Sequence, residues 1–182
     1  MLRSRFLLTL FGAGLVLAAA CSDSATPTAP LTSTPSTPAL LTLTGSVHRG
    51  NKISEVILAT DDGQEIPLSG ANASMMASVE NAGVEVRGAW NVDGTFEVAD
   101  FLVRMVDGAP VLDGILVAVY DRTVDPSESI EPTGYAILPT RGGPTIALTN
   151  PSADLLAHLG ERLWVAGVGD GAPTAFGVIS EH

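Results

Sequence analysis

Catalysis needs polar side chains that converge, so the residues able to do chemistry come first. The chain has three histidines, His48, His158 and His182, and no two stand at metal-ligand spacing. Its single cysteine, Cys21, excludes an intrachain disulfide and any zinc site built from cysteines. No Gly-x-Ser-x-Gly elbow, phosphate-binding loop or dinucleotide fingerprint is recognisable. A Ser-His-Asp triad is a spatial arrangement and stays open. Carboxylates pair at Asp61-Asp62 and gather at Asp121, Asp125, Glu128 and Glu131. They read either as solvated turns or as a weak calcium site on flexible oxygen ligands, though without EF-hand spacing. The expectation is no catalytic residue, no metal and no cofactor.

Recognition is the other chemistry on offer. Trp90 and Trp164 are the only tryptophans. Trp164 alternates with Leu163 and Val165, so its indole points away from whichever core they fill. It is either a surface contact or packing against the rest of the molecule. The stretch Asp121–Pro132 is acidic and contains Pro126, and reads as a spacer or a partner-contacting loop. The candidate contact residues are therefore Trp90, Trp164, Asp121, Asp125, Glu128 and Glu131. Nine basic residues against twenty acidic ones, a net charge of −11, argue against nucleic acid, which is gripped through many cationic contacts. The same balance argues against a polybasic hold on anionic lipid.

The N-terminus supplies a different route to a membrane. Arg3 and Arg5 precede an uncharged run from Phe6 to Ala20, too short to span a bilayer comfortably and closed by small residues. Leu17-Ala18-Ala19-Ala20-Cys21 resembles the lipobox of bacterial lipoproteins, with its leucine four rather than three residues before the cysteine. The resemblance implies cleavage before Cys21, lipidation of its thiol and acylation of its new amino group. Several acyl chains on one residue hold where one would be marginal. Ser22 follows the cysteine; in the lipoprotein family that residue permits transfer to the outer membrane. An ordinary secretory signal is the alternative. Residues 1–20 are thus expected as signal peptide, and 21–40 as the lipidated cysteine and a linker rich in Ser, Thr and Pro.

From Leu41 onward short apolar alternations are broken by Asp62-Gly63, Asp93-Gly94, Asp107-Gly108, Asp113-Gly114, Gly142-Gly143 and Asp170-Gly171. Frequent turn signals between short strands predict a mainly β structure. The chain also repeats itself. Leu58, Thr60, Gly63, Ile66 and Leu68 recur eighty residues on as Leu138, Thr140, Gly143, Ile146 and Leu148. Val84, Val86 and Gly88 then match Leu163, Val165 and Gly167, and Phe96 and Val98 match Phe176 and Val178. Upstream, Thr44-Gly45 pairs with Asp113-Gly114.

Each copy predicts three strands, a short helix and two strands. Asn72 or Ser74 is expected to cap the first helix and Gly83 to end it. Asn150 should cap the second, with Pro151 at its first position and Gly160 beyond its end. The order β-β-β-α-β-β, with Gly45-Ser46-Val47, Ile66-Pro67-Leu68 and Val84-Glu85-Val86-Arg87-Gly88, resembles small bacterial envelope OB-fold proteins. It implies two tandem OB-like five-stranded barrels, at 41–107 and 108–182, each with one short helix between strands three and four. One sandwich, or one larger barrel made from both halves, is the alternative. The expected function is a non-enzymatic, lipid-anchored envelope protein of the outer membrane that binds an envelope protein or glycan. The alternatives are a scaffold lipoprotein without a ligand site and a hydrolase with a dispersed active site.

Overall fold

A computed structural model describes residues 39–52, 54–120, 131–169 and 171–180, all within one compact unit, Thr37–His182. Ten strands form one sheet: β1 (Leu41–Arg49), β2 (Val56–Thr60), β3 (Glu65–Ser69), β4 (Gly83–Trp90), β5 (Phe96–Val106), β6 (Ala109–Val119), β7 (Gly134–Pro139), β8 (Ile146–Ala147), β9 (Arg162–Ala166) and β10 (Ala175–Val178). Helix α1 (Ala71–Met76) follows β3, and helix α2 (Ala153–Leu156) follows β8.

The first five strands close into a ring. β1 pairs antiparallel with β2 and β4, β2 with β3, and β4 with β5; a short parallel contact, Leu68 and Ser69 against Phe96 and Glu97, joins β3 to β5. The alternation in the sequence explains which side faces in. Val84, Val86 and Gly88 are buried while Glu85 and Arg87 between them are not. Gly88 is required because a Cβ there would strike the Glu97 carbonyl and the Phe96 ring. Val47, Leu58, Met76, Val86, Phe96 and Phe101 fill the interior.

The second half repeats four of these five pairings: β6 with β7 and β9, β7 with β8, and β9 with β10. The fifth, β8 with β10, is absent among the described residues. The expected two tandem OB-like barrels are therefore corrected: among the described residues the first half forms a ring and the second half five strands without the closing pair. The physical cause is a change of register. Phe96 lies opposite Trp90 in the first half, whereas its counterpart Phe176 lies opposite Val165, the counterpart of Val86. The last strand has slid four residues along its neighbour. Trp164 stands where the first copy has Glu85, and it faces Gly177, whose absent side chain leaves room for the indole. An even slip keeps every side chain on its original face, so the interior pattern tolerates it. Leu116, Ile137, Leu148, Leu155, Leu163 and Val165 form a second cluster, with Phe176 packed against it.

Two helix ends differ from expectation. Gly70 precedes α1 without a side-chain cap, and Asn72 instead donates to the Val98 and Ala99 carbonyls at 3.3 and 2.8 Å. The helix tightens into a 3₁₀ turn, Ala77–Val79, and the chain reverses at Asn81 with φ +66°, leaving Gly83 to begin β4. In α2 the cap is Ser152, whose hydroxyl accepts from the Leu155 N–H at 3.2 Å. Asn150, at φ +46°, turns the chain before it. Gly160 does sit past the end at φ +87°. Asp113-Gly114, read as a turn, lies inside β6.

Candidate functional site

The two halves meet where β5 and β6 part. Asp107 and Gly108, both at positive φ, make the tight turn of this hairpin. Only Met105 with Pro110 and Val106 with Ala109 pair before the strands diverge. Divergence strands backbone groups, and Asp113 repairs this: its carboxylate accepts the Val103 N–H at 2.8 Å. Arg162 donates to both of its oxygens, at 2.9 and 2.8 Å, and Thr140 donates at 2.6 Å. The same guanidinium donates to the Phe101 carbonyl at 2.6 Å and lies 4.3 Å from the Phe101 ring centroid. Beside it Arg141 pairs with Glu85 and, at 3.0 Å, with Asp100, while Arg104 reaches Glu85 at 2.7 Å. Hydrogen bonds from Arg104 and then Arg141 hold the Glu85 carboxyl below its ordinary range, outweighing burial. Burial opposes the charge on Arg141, but Glu85 and Asp100 raise its pKa.

None of these junction residues was a site candidate from sequence, Asp113 having been read only as part of a turn and a repeat, and Thr140 only as part of the repeat. The available signal was one carboxylate inside the apolar run Val111-Leu-Asp-Gly-Ile-Leu-Val117, since a buried charge demands a partner. These pairs stitch the halves together, with the buried Arg141 Nη2 left without a hydrogen-bond partner. They leave recognition to a different place.

That place is the end of the ring where the β2–β3 and β4–β5 turns lie. Trp90 terminates β4, is 49% exposed, and stands edge-on against Phe96 with ring centroids 5.3 Å apart at 81°. Phe96 is fully buried, so the indole is held from beneath by the core. A concavity of about 410 Å³ opens beside it, with Leu43 and Ile66 on its apolar side and Thr60, Asp61, Asp62 and Gln64 on its polar side. The polar side is fixed locally. The Thr60 amide donates to the Gln64 carbonyl at 2.9 Å, the Thr60 hydroxyl bonds Asp62, and the Gln64 side chain donates to Asp62 at 2.9 Å. The Thr60 hydrogen bond is the main reason the Asp62 carboxyl is shifted below its ordinary range. In the neighbouring turn the Thr95 amide and hydroxyl do the same for Asp93.

Of the contact candidates from sequence, Trp90 lines this concavity, and the weighed carboxylate pair Asp61-Asp62 lies there with it. Trp164 is half-buried against the core of the first half, the packing alternative of its two readings. Glu131 is exposed just ahead of β7. Cys21, Asp121, Asp125 and Glu128 lie outside the described residues. Among the weighed histidines, His48 is the exposed penultimate residue of β1, and His158 Nδ1 lies 3.0 Å from Glu161 with its ring tilted against Phe176 at 5.7 Å between centroids. Among the described residues no three of His, Cys, Asp and Glu converge as metal ligands would. No family model, curated protein or solved structure matches this chain.

Proposed function

We propose that this is a lipid-anchored envelope protein that binds a partner, an envelope protein or glycan, at the Trp90 end of an OB-like ring. The observation that carries the reading is the half-exposed indole, backed by Phe96 and set at the rim of a concavity with an apolar and a polar side. A rigid aromatic with few rotamers loses little entropy on contact, and convergent polar groups orient what lands on it. The strand order of the ring, with its parallel β3–β5 contact and its helix after β3, supports the OB-like assignment. The lipobox-like segment ending at Cys21 supports export and anchoring, with the outer membrane as destination. The reading is of binding without catalysis.

Retention on isolated cell envelopes stripped of the native protein tests this reading. Trp90→Ala should lose saturable retention. Tyr120→Ala, which removes an aromatic of similar exposure at the end of β6, should keep it. Equal retention of the wild type and Trp90→Ala would refute the site.

A further inference from the structure

The proposed site has a charge character that selects its occupant. Asp61 and Asp62 line the concavity and no lysine or arginine does. The chain as a whole carries −11. The nearest cation in the strand register is Arg87, which pairs with the lining residue Thr42 and is not itself part of the lining. The indole face adds the negative side of its quadrupole, which attracts cations. A guanidinium or ammonium group at the end of an aliphatic stem would match both sides. Its stem would lie against Leu43, Ile66 and the indole, and its head against the carboxylates. A neutral ligand would gain no charge attraction from the two exposed carboxylates, and an anion would meet their negative charge. Complementary charge also speeds encounter with a basic partner at low salt.

We infer that the Trp90 concavity receives a lysine or arginine side chain from an exposed segment of a partner protein. The inference rests on the binding role proposed above and narrows it to one ligand chemistry.

The probe is Nα-acetyl-arginine amide, titrated into the full-length chain in detergent while the tryptophan indole N–H signals are followed by NMR. Trp90→Phe assigns the two signals. The Trp90 signal should move saturably and the Trp164 signal should not. The neutral isostere, Nα-acetyl-citrulline amide, should bind about three- to thirtyfold more weakly. Asp61→Asn should weaken the arginine probe severalfold, and raising the salt should do the same. Equal binding of the two amides overturns the inference, as does preference for a neutral disaccharide such as N,N′-diacetylchitobiose; both leave Trp90 as a contact site. Silence of the Trp90 signal with every probe also overturns it, and the envelope-retention comparison then decides separately whether Trp90 binds anything.

Discussion

Asp113→Ala should be the most destabilising single change at the junction. The Asp113 side chain is 2% exposed and that of Arg162 18%, so the pair is withdrawn from water. Truncation strands the guanidinium, leaves the Val103 N–H without its acceptor and removes the partner of Thr140. Removing one member of a buried ion pair costs about 3–5 kcal/mol. An orphaned buried donor costs about 1–3 kcal/mol by itself. The two do not add in full, because Arg162 keeps the Phe101 carbonyl and ring. The expected loss is about 3–5 kcal/mol, a large share of the roughly 5–15 kcal/mol that holds a typical domain. Urea unfolding of residues 22–182, followed by tryptophan fluorescence, measures it. With a slope of about 2 kcal/mol per molar urea, the midpoint should fall by roughly 2 M. Asp113→Asn should cost less, since the amide keeps one acceptor oxygen. A loss for the alanine variant below about 1 kcal/mol, the scale of an exposed pair, would refute the role given to this carboxylate.

Gly177→Ala should disturb the register of the last hairpin, because the new Cβ would sit 2.6 Å from Trp164 Nε1; unchanged amide chemical shifts for β9 and β10 would contradict this. Glu85 is held below its ordinary carboxyl value of 4.5, so it contributes stability that is present above that pH and lost as pH falls through its lower folded value. Glu85→Gln should therefore flatten the acid limb of the stability profile, and an unaltered limb would count against the Arg104–Glu85–Arg141 cluster. Cys21→Ala should move the protein from membrane to soluble fractions; persistence in the membrane would remove the lipid anchor from the account.

Sequence reasoning reached what is periodic or local. The alternation of Val84, Val86 and Gly88 marked β4, and the duplicated positions placed all ten strands close to where they lie. The turns at Asp62-Gly63, Asp93-Gly94 and Asp107-Gly108 were readable because glycine meets a positive φ in each. Closure of the second half was not readable. It depends on whether Phe176 stands opposite Val165 or four residues further along, and the cross-strand contact of Trp164 with Gly177 decides that. Nor was Asp113 readable as a partner of Arg162, since 49 residues separate them and it is the β6–β9 pairing, with Ile115 opposite Arg162, that brings them together. The helix caps failed for a smaller reason. Asn72 had long-range carbonyls to bond, and Ser152 rather than Asn150 had the extended backbone that a cap needs. Trp90 was legible as a residue type, but the concavity beside it comes from turns joined only by the ring.

The position of β1 has a mechanical consequence. Residues 39 and 40, where the described chain begins, lead directly into Leu41, the first residue of β1. β1 is flanked on both sides, by five residue pairs with β2 and six with β4. Hydrogen bonds between antiparallel strands run across the strand axis. Tension drawn along β1 from the linker would load those rungs together in shear instead of peeling them one at a time. If the proposed anchor holds, pulling forces would enter the ring through a strand braced along both of its edges.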